Sequence, residues 1–395
     1  MNRRLIFFIG VYDTLDIFAF ELQREFEGMG YETMLFDTAD LQKSLGQLAA
    51  FVKKPVTAVI TFNNLGYNME LTQGNNIWND LDLFVVNILM DHPFCYKPAL
   101  DASPRKAAVL CPDRNHMRYI QRFYPQIPVS GYLPHAGIAR GGAARKIAER
   151  RIDVLYAGGL SRDYVKNVMP DFQKYKEFDA EKIADQAYHM LIECPHMTTE
   201  EAVEKTLCEA GIQVSEDRLC EIIADLHYVD LLAASYYREK TVRTLVEHGI
   251  HVHLYGNGWE ACTWLDHPNL VYGGRVSAEE IIGYMQESKI VLNTMTWFKD
   301  GTHDRVFNGM LAGAVAVTDS SVYMKEEFPD TDRAQQKLVM FELTQIDQLP
   351  DLVRELLYDT DQMQQIADRG YVYAKEHHTW KCRAKELQQD LLDYL

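Results

Sequence analysis

Basic residues are scarce in this chain. Forty Lys and Arg stand against 57 Asp and Glu in 395 residues, a formal charge of −17. A protein that grips nucleic acid or an anionic membrane by neutralising phosphates needs a basic face, and no stretch of the sequence offers one. Any anionic ligand is therefore expected to be small and held by local groups. Cysteine is sparse in pattern as well: none of the seven, at 95, 111, 194, 208, 220, 262 and 382, forms a CxxC pair. That argues against a zinc knuckle or a disulfide framework. No apolar run reaches the ~18 residues of a membrane span. GxSxG, HExxH and Walker A sequences and solenoid-period repeats are missing too. The opening MNRRLIFFIGVYDTLD pairs a basic start with a short apolar run, but Asp13 and Asp16 follow at once and no small-residue cleavage site is seen. It reads as a first strand rather than a leader, so the expected location is the cytoplasm.

What the chain does have is an ordinary globular balance, 47% hydrophobic and 25% charged, in a length that suits two domains. Short apolar runs alternate with helical spacing from the start. Leu5–Gly10, Thr33–Phe36, Ala58–Phe62, Phe84–Met90, Ala107–Cys111 and Val129–Leu133 read as strands, with a helix between the first two carried by Leu15, Phe18, Leu22, Phe26 and Met29. Continuous apolar strands separated by helices imply a parallel sheet covered on both faces. A second series follows at Ile152–Ala157, His251–Tyr255, Leu270–Tyr272, Ile290–Leu292, Ala314–Thr318 and Leu338–Phe341. The fold class is α/β, two doubly wound units in tandem.

The Gly/Ala-rich, then basic stretch GIARGGAARKIAERR (137–151) suits a linker, so the domains are expected at 1–150 and 151–395. Residues 163–237 carry helical pattern without strand signal. Within them, Leu191 to Asp230 holds ten acids against Lys205 and Arg218, a solvated helical insertion or a docking surface for an acceptor. Two helices, from about 351 to 358 and 361 to 376, are expected near the end, with a tail after them.

In open α/β sheets ligands bind beyond the carboxyl ends of strands. In the second unit those exits carry Gly158 and Gly159 with Arg162 beyond them, then Gly256, Asn257 and Gly258, then Asp300, Gly301 and Thr302 leading to His303, Arg305 and Asn308. Glycines let a ligand approach the backbone. A helix starting near Asp304 would present free N–H groups and the positive end of its dipole to a diphosphate, with His303 and Arg305 adding donors. In the first unit, Asn63 and Asn64 end one strand, and Asp91 and His92 follow another. His135 precedes the linker, and His116 reads as a surface residue. No metal site is expected: Asp37/Asp40 and Asp80/Asp82 look like turn pairs, and Cys194-Pro195-His196 and His377-His378 lack further ligands.

LYGNGW (254–259), HPNLVYGGRVSAEEIIGYMQESKIVLNTM (267–295), HDRVFNGMLAGAVAVTD (303–319) and IADRGYVYAKEHHTWKCRA (366–384) together resemble the nucleotide-binding half of GT-B glycosyltransferases. The similarity is greatest to the bacterial branch that includes the CgeB-like spore-maturation proteins. The resemblance covers most of residues 152–384 apart from the insertion. It implies two Rossmann-like domains facing across a cleft, the first binding the acceptor and the second a nucleotide sugar. Retaining relatives carry two glutamates separated by seven residues where this chain has Asp300 and Asn308. By the family layout the loop holding Val276 lies against the nucleotide base, while Ser277 and Glu280 form a capping box. His92 would face the donor sugar from the first domain, with Asp91 beside it.

The resemblance thus implies a metal-independent, retaining transfer of sugar from a nucleotide-diphosphate donor, UDP-linked, to a glycan, protein or small-molecule acceptor. Donor contacts fall to Gly158, Gly159, Arg162, Gly256, Asn257, Gly258, Val276, Asp300, Gly301, Thr302 and Asn308. Catalytic contacts fall to His92, Asp91, His303 and Arg305, and acceptor contacts to Asn63, Asn64 and His135. No cofactor, nucleic-acid partner or membrane span is expected. A sugar-nucleotide epimerase of the same fold and a non-catalytic binding or assembly protein remain open alternatives.

Overall fold

The computed structural model describes residues 3–10, 13–141, 145–295, 297–329 and 333–395. The chain divides into two compact units, one made of Met1–Ile138 with His377–Leu395 and the other of Ala139–Glu376. In the first unit the strands are β1 (Arg4–Ile9), β2 (Glu32–Asp37), β3 (Ala58–Phe62), β4 (Glu70–Thr72), β5 (Asn75–Asn76), β6 (Val85–Ile88), β7 (Ala107–Cys111) and β8 (Val129–Tyr132). β4 and β5 form a small antiparallel hairpin. The other six make one parallel sheet in the order β2-β1-β3-β6-β7-β8. β3 and β7 are buried along their whole length, as expected of strands covered by helices on both faces. The chain turns back between β1 and β3.

The second unit contains β9 (Ile152–Ala157), β10 (Val252–Tyr255), β11 (Leu270–Gly274), β12 (Ser288–Asn293), β13 (Val315–Asp319) and β14 (Val339–Phe341). All run parallel, in the order β11-β10-β9-β12-β13-β14. Its core joins Val154, Tyr156, Leu254, Leu292 and Val317 from four strands. The chain works outward from β9 to β11 and then returns to place β12 on the other side of β9. Helices leave the sheet in opposite directions there, so a crevice opens beyond the carboxyl ends of β9 and β12. Between β9 and β10 the described residues form helices only: Arg162–Val168, Ala180–Glu193, Thr199–Glu209, Glu216–Leu226 and Tyr228–Glu247.

Both expected domain limits, 1–150 and 151–395, shift. Residues after Ile138 go with the second unit because Ile147 is buried in that unit's core and Arg150 donates to the carbonyls of Ser288 (2.8 Å) and Ala312 (3.0 Å). The stretch read as a tail beyond the last helix is itself a helix, Trp380–Asp390, and it belongs to the first unit. Trp380 lies 4.9 Å from the Phe18 ring and 5.5 Å, edge-on, from Phe62. The buried Arg383 donates to the Pro134 carbonyl at 2.8 Å, and Gly137 N–H donates to the His378 carbonyl at 2.8 Å. The chain end thus closes the face of the sheet on which it began.

Removing the Trp380 ring leaves a cavity between two aromatic rings of that face. Trp380→Ala is expected to lower the stability of the first unit by about 3–5 kcal/mol, read from its chemical-denaturation midpoint, with the second unit's transition unmoved.

Candidate active site

Three strand exits meet at the turning point of the second sheet. β9 and β10 stay zipped beyond their last residues: Gly158 N–H donates to Tyr255 O and Leu160 N–H to Asn257 O, both at 2.8 Å. The approach requires glycine. A Cβ on Gly256, whose φ is +141°, would stand 2.4 Å from Gly158 O, and one on Gly159 would stand 2.8 Å from Asn257 O. β12 joins through the Tyr156 hydroxyl, 2.8 Å from Thr294 Oγ1.

Two arginines converge on these exits from different elements. Arg305 Nη1 donates to Ala157 O at 2.6 Å, and Arg238, on the long helix Tyr228–Glu247, donates from Nη1 to Gly159 O at 2.5 Å. Arg238 is buried, with its guanidinium 4.5 Å from the Trp297 ring. No carboxylate lies within ion-pair distance of it among the described residues, and its Nε has no hydrogen-bond partner. Burial depresses its pKa to about 10, and Arg305 adds repulsion. Buried charges are otherwise almost always paired. A guanidinium with so few partners at a strand-order reversal has donors to spare for an anion.

The helix expected after Thr302 runs from Asp304 to Leu311. His303 caps it and links its neighbours: Nδ1 lies 2.5 Å from Asp304 Oδ1, and Nε2 lies 2.6 Å from Arg305 Nη2. A guanidinium only donates, so Nε2 accepts, and the ring proton is assigned to Nδ1, facing the carboxylate. In that tautomer Nδ1 does not accept from the Arg305 N–H, 3.3 Å away, and His303 holds the N-cap position through its backbone alone. His303 therefore orients Arg305. Asn308 donates from Nδ2 to Asp304 Oδ2 at 2.9 Å. Asp300 and Thr302 are buried, and Thr302 Oγ1 has no hydrogen-bond partner among the described residues.

Arg162 does not reach the crevice's arginine pair. Its guanidinium forms an ion pair with Glu239, which also accepts from Trp264 Nε1 at 3.0 Å. Gly258, Asn257 and Gly256 form the β10 exit. Val276 packs beside Tyr255, Ile281 and Tyr284 beyond β11, and the capping box of Ser277 and Glu280 is present as read.

In the first unit Asn63 and Asn64 both take positive φ, +46° and +64°, a conformation asparagine tolerates. Asn63 Nδ2 donates to Asp91 Oδ2 at 2.9 Å, and the Tyr96 hydroxyl donates to the same oxygen at 2.9 Å. Asn64 accepts from Asn87 Nδ2 at 2.5 Å. His92 is buried: its ring stacks on Phe94 at 3.6 Å and lies 4.2 Å from His116. His116, read as a surface residue, is buried as well, because Asp113 caps its helix and turns it inward. His135 is buried, and its carbonyl faces Arg383 at 3.4 Å.

Sequence reasoning missed Arg238, Trp297, Glu239 and Asp319. The signal for Arg238 was a charge on an apolar helical stripe, in register with Ala234, Thr241, Val242 and Leu245. Asp319 is buried at the end of β13, and burial pushes its carboxyl up to about 7, against the Met295 N–H that it accepts at 2.6 Å.

Residues 238–389 match the family model described as glycosyl transferase-like. The chain is similar to several solved structures. Sucrose-phosphate synthase from Thermosynechococcus elongatus shares 9% identity over 99% of both chains, with a TM-score of 0.57. An alpha-glucosyltransferase in complex with UDP and a 13-mer DNA containing a HMU base shares 14% over 100% of both, with a TM-score of 0.57. Anabaena HepE in complex with UDP-glucose shares 11% over 99% of this chain and 100% of its own, with a TM-score of 0.52. No curated protein sequence matches the chain. The fold is GT-B, and the family-model match begins within the second unit and runs into the helix Trp380–Asp390.

Because the β9 and β10 exits touch backbone to backbone, Gly256→Ala is expected to cost about 1–3 kcal/mol of stability through overpacking. Thermal unfolding of the variant checks this, with Gly283→Ala, where a Cβ would meet nothing within 4 Å, as the control.

Proposed function

We propose that this protein transfers a sugar from a nucleoside-diphosphate donor, UDP-linked, to an acceptor bound by the first unit. The buried, unsatisfied Arg238 at the switch point of the second sheet carries this reading. Together with Arg305 and the start of the helix Asp304–Leu311 it offers two guanidiniums and free backbone donors to one anion. These groups would stabilise charge developing on the leaving diphosphate. His303 contributes by holding Arg305, and Thr302 by a hydroxyl left available for the donor. Gly158, Gly159, Gly256, Asn257 and Gly258 allow close approach, Val276 supports the base, and Asp300 and Asn308 flank the sugar. Arg162, held by Glu239, stands outside this set.

In the first unit Asp91, oriented by Asn63 and Tyr96, is the acceptor-side carboxylate, and His92 shapes that strand exit through its packing on Phe94. Asn64 and His135 complete the acceptor side. Similarity to retaining relatives supports retention of anomeric configuration. A cytoplasmic location fits the nucleotide-sugar substrate.

The test measures nucleotide-induced stabilisation and nucleotide-sugar turnover across a panel of donors. Arg238→Met should melt at a higher temperature than the parent without ligand, because an apolar side chain replaces an unpaired buried charge. It should also lose the stabilisation that a nucleoside diphosphate gives the parent. Arg305→Ala should weaken binding by about 1.5–3 kcal/mol, while Arg162→Ala binds normally. If no nucleotide stabilises the parent protein, the reading fails.

The two arginines and the helix start supply the positive charge that a divalent cation would otherwise bring to a diphosphate. Turnover is therefore expected to persist in excess chelator. Loss of activity that Mg²⁺ or Mn²⁺ restores would overturn the metal-independent mechanism.

A further inference from the structure

The loop that leads from β12 to the helix Asp304–Leu311 is tied to the end of β13 in three places. Met295 N–H donates to Asp319 Oδ1 at 2.6 Å, Val322 N–H donates to Lys299 O at 3.0 Å, and Ser321 Oγ donates to Gly301 O at 2.6 Å. Two of the ties are backbone and hydroxyl contacts that pH does not alter. The third is a carboxylate 2% exposed. Behind it, Asn293 Nδ2 donates to Thr318 Oγ1 at 3.0 Å, and the Asn293 Oδ1 has no partner. The charged groups that face Asp319 are Lys299, from the loop itself, and Arg238, from the long helix. Lys299 is engaged elsewhere, donating to Pro195 O at 2.6 Å.

We propose that Asp319 is the positioning residue that latches the donor loop, holding it closed when the carboxyl is neutral and releasing it when the carboxyl ionises. The physical reason is desolvation. A carboxylate shut behind the loop, with only the Met295 N–H, its own N–H and the Thr318 hydroxyl as donors and no ion pair among the described residues, is costly there, and opening the loop returns it to water. Burial is the largest influence on this group and raises its pKa to about 7, against an ordinary value near 3.8. By linkage the closed loop binds the proton more tightly than an open, hydrated one. The latch is therefore firm below the ordinary carboxyl range and weakens as pH rises toward 7, then levels off. This deepens the transferase reading, on which its consequence rests: the loop ends at Gly301–His303, so the closed form is the donor-bound form, and donor affinity falls as the latch ionises.

Hydrogen exchange over residues 294–303 tests the latch without any donor. After correction for intrinsic exchange, the parent's opening equilibrium should rise by up to about tenfold per pH unit between pH 5 and 7, the slope of one linked proton, and flatten above that. Asp319→Asn keeps an oxygen for Met295 N–H and mimics the neutral acid. Its loop should be at least as protected at pH 8 as the parent's is at pH 5, with no slope. Ser321→Ala removes an uncharged tie and should raise opening at every pH while leaving the slope intact. A slope that survives in Asp319→Asn, or protection that weakens as pH falls, overturns the proposal. UDP-glucose, which has no titrating phosphate in this range, then probes the coupling. Its affinity for the parent should fall between pH 6 and 8 and hold steady for Asp319→Asn. A latch seen by exchange with no nucleotide binding to the parent would sink the transferase reading and leave the latch standing. UDP-glucose bound with the same pH dependence by both proteins would overturn the coupling alone.

Discussion

Backbone pressed against backbone at the ends of β9 and β10 is the contact from which the rest of the site follows. The exits share hydrogen bonds beyond the last strand residues, from Gly158 to Tyr255 and from Leu160 to Asn257. A side chain on Gly256 or Gly258 would drive into Gly158 O or Leu160 O, at 2.4 and 2.2 Å. Only because these exits lie flat can two arginines from separate helices reach neighbouring carbonyls, Arg305 at Ala157 and Arg238 at Gly159. Trp259 fixes the same turn from the other side, donating from its indole N–H to Gly158 O at 2.8 Å. Strand order, glycine placement and charge thus serve one small region of the sheet.

That region breaks the rule that buried charge is paired. Arg150, also buried, shows the structural alternative: it donates to four carbonyls, those of Arg145, Met285, Ser288 and Ala312, and so fastens the linker to the second unit. Arg238 has one carbonyl and an aromatic face instead, and a second guanidinium close enough to repel it. Such an arrangement costs stability in the protein alone, a cost that the proposed anion would offset. Asp319, buried a short way off at the end of the next strand, meets the same constraint differently, by a pKa raised to about 7. On the proposed reading, a sparsely partnered guanidinium and a carboxyl that ionises on exposure make one loop sensitive to what binds and to pH.

The sheets were legible because their strands are apolar on both faces. Ala58–Phe62, Ala107–Cys111 and Ile152–Ala157 stand where the runs of Val, Ile, Leu and Ala put them. The hairpin of β4 and β5 was not, since its three- and two-residue strands are mostly exposed and carry no alternation. Nor was the last helix, whose buried face is only Trp380, Arg383, Ala384 and Leu387 in an otherwise polar segment. At the site, the glycine exits and the start of the helix at Asp304 followed from local pattern. Arg162 shows where local pattern ends: its partner Glu239 lies 77 residues on, and only the folded chain brings them together. Arg238 sits beside that glutamate on the same helix, and one turns to the crevice while the other holds Arg162.

The acidity of the whole chain and the positive character of this one crevice are compatible because screening separates them. At physiological ionic strength exposed charges act over about 8 Å, so the carboxylates spread over the insertion's solvent faces scarcely reach the switch point. Arg238 and Arg305, drawn out of water, are screened far less. A small diphosphate meets the opposite balance once inside, where two guanidiniums and a helix start are the near charges. The proposed preference for a small anion then follows from placing the positive groups deep and the negative groups outside.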